Sequence, residues 1–161
     1  MTSGMSGHES PVAQKEEWLT PPSIVESLGA FDLDPCSPVN RPWSTASNHL
    51  TIFDDGLSVP WSGRVWCNPP YGKKTEVWLD RLANHGNGIA LIFARTETRA
   101  FFKTVWDRAD ALLFLKGRIR FHHVTGEQAA SAGAPSVLVA YGQNNVEALR
   151  NSDIEGKLVK L

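Results

Sequence analysis

An excess of one charge is missing from this 161-residue chain: 16 Lys and Arg face 17 Asp and Glu, for a net charge of −1. A protein that holds nucleic acid mainly through its overall charge is clearly basic. Any such partner must therefore be held here by a local patch. Cysteine is scarce as well. Cys36 and Cys67 exclude a disulfide scaffold, cannot alone complete a structural zinc site, and point to a reducing compartment. No apolar run approaches the roughly 20 residues of a membrane span. The first residues, Met1 to His8, lack the basic start and apolar core of a signal peptide. The chain reads as soluble and cytoplasmic, with no membrane partner. No Cys-x-x-Cys or His-Glu-x-x-His occurs. His122 and His123 are adjacent, and neighbours on a strand point to opposite faces, so no metal is assigned.

What is present is ordinary globular material: 42% apolar and 20% charged residues, which excludes disordered, collagen-like and coiled-coil classes. The length supports one domain. Residues 1–15 are small and polar and are expected to form a mobile tail. Residues 16–145 make the domain, and residues 146–161 read as a polar C-terminal segment. Prolines 21 and 22 lead into a short helix over 23–28, stopped by Gly29. A short strand over 30–34 ends at Pro35. Residues 36–63 are the least regular part, with only 50–53 as a strand candidate. The apolar run 64–67 stops at Asn68-Pro69-Pro70-Tyr71-Gly72. A helix over 74–84, a buried strand over 88–94 and an amphipathic helix around 101–109 follow. Three further strands are expected at 111–115, 119–121 and 136–141. Strands alternate with helices and then follow one another, so the expected class is α/β, a mostly parallel sheet closed by a C-terminal antiparallel hairpin.

In such sheets ligands sit outside the carboxyl ends of the strands. Two unusual segments fall there, Asp34-Pro35-Cys36-Ser37 and Asn68-Pro69-Pro70-Tyr71. Two successive prolines remove two backbone donors and fix φ, and the residue before a proline is held extended. The turn is stiff, and it holds an amide side chain, bare carbonyls and an aromatic ring in set positions. That suits the gripping of a planar –NH2 group. The lone pair of an exocyclic amine is delocalised into its ring. If the Asn68 side-chain oxygen and the Pro69 carbonyl take its two hydrogens, the nitrogen is drawn toward tetrahedral geometry and becomes a better nucleophile. Tyr71 can stack on the base once it has left its duplex. The four residues could also form a merely rigid turn. The strand before them and the helix and Gly72 after them favour a site.

Asp34 could accept hydrogen bonds from an ammonium or hydroxyls, although an aspartate in such a place is commonly a loop or cap residue. No Gly-x-Gly follows it, so no pyrophosphate cradle is expected. A cofactor without phosphate, such as S-adenosylmethionine, does not need one. Asp54-Asp55-Gly56-Leu57 is a turn by default and an acidic cofactor contact if the site is real.

Together these pieces resemble the phage-type DNA N-6-adenine methyltransferases, a small Dam-like family. The matching residues are Trp18-Leu19-Thr20-Pro21, residues 31–37, residues 55–57 with Trp61, residues 68–72, residues 94–98 with Phe101, residues 117–121, and Pro135-Ser136. The resemblance implies a Rossmann-like methyltransferase fold, S-adenosylmethionine as donor and adenine in DNA as acceptor. It implies a phage or prophage origin, a bacterial cytoplasm and a use in evading host restriction. By the same analogy Thr20, Pro21, Asp34, Pro35 and Cys36 line the donor site, Asp55 lies near the donor's ribose or adenine, and Asn68, Pro69, Pro70 and Tyr71 hold the target amine. The motif order is similar to the gamma arrangement of amino-methyltransferases. In one respect the chain departs from the larger enzymes of that type. Asp34 and Arg64 stand too close for two complete strand–helix units, so the sheet is expected to be trimmed on that edge. No room is left for a separate target-recognition domain, and a homodimer could supply extra surface.

Lys73, Lys74, Arg95 and Arg118 belong to a cluster of basic residues between 73 and 120 that could contact phosphates or form a solvated surface. Phe121 could pack on the extruded base opposite Tyr71, or belong to the core. Two other readings stay open: the same donor with an RNA adenine or a protein glutamine amide, and a catalytically silent nucleic-acid-binding domain.

Overall fold

The structure is a computed structural model that describes residues 18–161; the tail expected over residues 1–15 lies outside them. Its elements are α1 (Pro22–Ser27), β1 (Leu33–Asp34), β2 (Asn48–His49), β3 (Val65–Cys67), α2 (Lys74–His85), β4 (Gly88–Phe93), α3 (Arg99–Phe101, continued by a π-helical turn Phe102–Trp106), β5 (Ala111–Leu115), β6 (Arg120–His122), β7 (Gln128–Ser131), β8 (Ser136–Tyr141), α4 (Gln143–Asn151) and β9 (Gly156–Lys160).

Seven strands form one sheet in the order β2-β1-β3-β4-β8-β5-β9. The pairs β1–β2, β1–β3 and β3–β4 are parallel, while β8 runs antiparallel to both β4 and β5, and β9 antiparallel to β5. Five of the seven strands thus share one direction, as the α/β expectation required. The continuous apolar runs explain the centre: β4 and β8 are buried on both faces, the pattern of strands covered by helices on each side. One face packs against α2 and α3 through Trp78, Leu79, Leu82, Phe101 and Val105. The other packs against α1 and α4 through Val25, Leu28, Val146 and Leu149.

Three expectations are corrected. The C-terminal hairpin does not form as such: β8 inserts between β4 and β5, and β6 pairs instead with β7 in a separate two-stranded ribbon. The strand expected at 50–53 is a turn. Asp54 Oδ2 accepts from the Thr51 N–H at 2.8 Å, a side-chain bond that competes with strand pairing, and Ile52 and Phe53 are left 77% and 85% exposed. Residues 146–161 are no polar appendage. They hold most of α4 and all of β9, which closes one edge of the sheet, and Val146 and Leu149 are core residues. At the opposite edge the sheet stops at the two-residue β2.

Candidate active site

The chain leaves β1 toward β2 on one side and returns as β3 on the other. That reversal places a topological switch point at the carboxyl ends of β1 and β3, where α/β sheets bind ligands. The two segments singled out in the sequence meet there. Cys36 Sγ lies 3.8 Å from Cys67 Sγ, joining the residues after β1 to the last residue of β3. The contact with Cys67 and burial push the Cys36 thiol well above its ordinary range, so Cys36 acts as a packed thiol rather than a nucleophile.

Asn68 follows the fully buried β3. Its side-chain Nδ2 donates to Thr20 Oγ1 at 3.0 Å. The Pro70 carbonyl accepts from Thr75 Oγ1 at 2.6 Å. Among the described residues, Asn68 Oδ1 and the Pro69 carbonyl accept no hydrogen bond. Both acceptors thus stand free among the described residues, on a turn held by the Asn68 Nδ2 and Pro70 carbonyl bonds. Gly72, with φ +100°, supplies the left-handed exit that a side chain would strain. The Tyr71 ring stacks on Phe93 with centroids 4.3 Å apart and planes 8° from parallel, and burial pushes its hydroxyl up to about 12. Beside this stack opens a cavity of about 370 Å³, lined among others by Pro69, Tyr71, Lys73, Phe93, Arg95 and Phe101.

Asp34 is 4% exposed. Its Oδ1 accepts from the Cys36 N–H at 3.3 Å and its Oδ2 from the Thr45 hydroxyl. Burial raises its pKa to about 6, against the lowering effect of those bonds and of Arg41. Asp55 is exposed, adopts φ +53°, and accepts from the Ser58 hydroxyl. The neighbouring Gly56 ties this loop to the segment after β1: a Cβ there would come within 2.1 Å of the Pro35 carbonyl oxygen, and its own carbonyl accepts from Trp61 Nε1 at 2.8 Å.

The basic residues divide. Lys73 and Arg95 line the Tyr71 cavity, and Lys74 is exposed beside them at the start of α2. Arg118 is exposed but faces a different hollow, shared with Pro21, Arg120, Asp153 and Glu155, and donates to the Ala132 carbonyl at 3.2 Å. Phe121 is no free stacking surface. It is 6% exposed and packs in the core on the α1 and α4 face, because β6 turns its one fully buried side chain inward. His122 and His123 diverge, toward Trp43 and Trp18 respectively.

Residues 7–151 match the family described as DNA N-6-adenine-methyltransferase (Dam). The chain belongs to that family. Comparison with curated proteins and with solved structures finds no match. Within this member of the Dam family, two residues near the candidate site and one contact escaped the sequence. Thr45 lies in the irregular segment and meets Asp34 only through the fold. Phe93 reads as one more apolar residue of β4, and its place at that strand's carboxyl end was the available signal. The bond from Asn68 to Thr20 spans 48 residues, and no local pattern announces it.

Proposed function

We propose that this Dam-family chain transfers a methyl group from S-adenosylmethionine to the N6 amine of adenine in DNA. The observation that carries the reading is the pair of acceptors free among the described residues, Asn68 Oδ1 and the Pro69 carbonyl, on the turn after β3. They would take the two hydrogens of the amine and pull its lone pair out of conjugation, an interaction stronger in the transition state than before it. The outer face of the Tyr71–Phe93 stack would carry the extruded base. Lys73, Lys74 and Arg95 would meet phosphates, with Arg118 serving a more distant part of the duplex.

The switch point suits a donor without phosphate. Buried Pro35, which has no N–H, follows β1 where a phosphate cradle would need close backbone donors. The exposed carboxylate of Asp55 would meet hydroxyls instead, while Asp34, buried and bonded to the Cys36 N–H and the Thr45 hydroxyl, would form the wall of the donor site with Pro21, Pro35 and Cys36. When bound, S-adenosylmethionine supplies an electrophilic methyl group on a sulfonium. No general base is needed before attack, since the amine can lose its proton afterwards.

Incubation with labelled donor and adenine-containing duplex should place the label on N6-methyladenine. Asn68→Ala should slow transfer by about 10²-fold or more, the scale of losing one transition-state hydrogen-bonding group, while thermal stabilisation by the donor is retained. Absence of label in DNA, or preferential labelling of competing RNA or of a glutamine-containing peptide, would overturn the assignment.

A further inference from the structure

The carboxamide of Asn68 can serve as described only if its oxygen, not its nitrogen, faces the amine. Sterics do not decide this. The last torsion of an asparagine is broad and roughly two-fold, and its two ends have nearly the same size. A hydrogen-bond partner must hold the plane and occupy the nitrogen. Among the described residues one side chain does so: Thr20 Oγ1, 3.0 Å from Asn68 Nδ2.

Thr20 is built to stay in place. It is 2% exposed. The residue before it is paired to β6 on both sides of the peptide, with Leu19 N–H to the His122 carbonyl at 2.8 Å and His122 N–H to the Leu19 carbonyl at 2.9 Å. The residue after it, Pro21, caps α1. β-Branching restricts its side-chain rotamer as well. The hydroxyl accepts from Nδ2 and so holds the carboxamide in one orientation.

We infer that Thr20 is a positioning residue for methyl transfer. It acts through Asn68 by holding Nδ2, so that Oδ1 is presented to the target amine. The inference rests on the function proposed above and assigns Thr20 a role different from lining the donor site.

The test uses the full chain with Thr20→Val, nearly isosteric but without an acceptor, and Thr20→Ser, which keeps the hydroxyl. For Thr20→Val we expect kcat to fall by about ten- to a hundred-fold, the range for a misoriented reacting group. Calorimetric donor affinity should stay unchanged, and Thr20→Ser should restore kcat. In the unliganded protein the Asn68 side-chain amide resonances should shift in Thr20→Val and not in Thr20→Ser. An unchanged kcat in Thr20→Val would overturn the inference. So would a loss that saturating donor recovers, which would make Thr20 a donor contact, or equal damage from both variants. A wild-type chain that methylates no DNA would instead remove the proposed function, and the amide resonances alone would then decide the Thr20 contact.

Discussion

Burying a carboxylate at the end of β1 has a cost that depends on pH. Asp34 has its pKa raised from the ordinary 3.8 to about 6, chiefly by desolvation. The folded chain holds this proton more tightly than the unfolded one. Its favourable contribution is therefore complete below 3.8 and is lost as pH rises through about 6. The difference corresponds to about 3 kcal/mol. Asp34→Asn does not titrate. Urea unfolding of the two proteins should show the wild type losing about that much stability relative to the variant as pH climbs across this window. Parallel pH profiles would mean that the carboxylate is solvated in the folded protein.

At the scale of elements, Arg64 joins three of them. From the start of β3 its guanidinium donates to the Leu28 carbonyl at 2.7 Å, the Ala30 carbonyl at 2.9 Å and Asn145 Oδ1 on α4 at 2.7 Å. It also lies 4.1 Å from the centre of the Phe31 ring. Arg64→Ala would leave these acceptors, including the fully buried Asn145, without their partner. We expect a loss of about 3 kcal/mol, seen as a lower denaturant midpoint at unchanged slope. Activity per folded molecule should persist, since Arg64 stands at the end of β3 opposite Asn68. Little of this bracing could be read beforehand. The buried strands 88–93, 111–115 and 136–141 and the helix over 74–85 were legible because their apolar spacing is set by local period. β9 was not, because an edge strand carrying Lys157 and Lys160 looks like surface. Nor was the π-helical turn in α3. There the Thr104 hydroxyl bonds back to the Ala100 carbonyl, while the Tyr141 hydroxyl takes the Thr104 carbonyl, and such competing bonds disturb a regular helix. The Asn-Pro-Pro-Tyr turn was legible because prolines dictate backbone wherever they stand. The contacts of Asn68 with Thr20 and of Tyr71 with Phe93 were not, because tertiary folding alone makes them.

Over the whole molecule, near-neutral charge and DNA as a family substrate are reconciled by direction. Lys73, Lys74, Arg95 and Arg118 follow β3, β4 and β5, strands that run the same way, so they emerge on the edge that carries Asn68. DNA affinity should fall with salt, and Lys73→Ala or Arg95→Ala should each reduce the log–log slope by about one. Arg108→Ala, at the opposite edge where the guanidinium pairs with Asp80 at 2.7 Å, should leave the slope unchanged. Equal effects at all three positions would deny a DNA-facing edge.

The position of β8 reaches beyond the finished molecule. It follows both β4 and β5 in the chain, yet it is the strip that lies between them and pairs with each. Without residues 136–141, β4 and β5 each keep an unpaired rim. Such rims invite association with neighbouring chains, so a chain cut before Ser136 should aggregate, which light scattering would show.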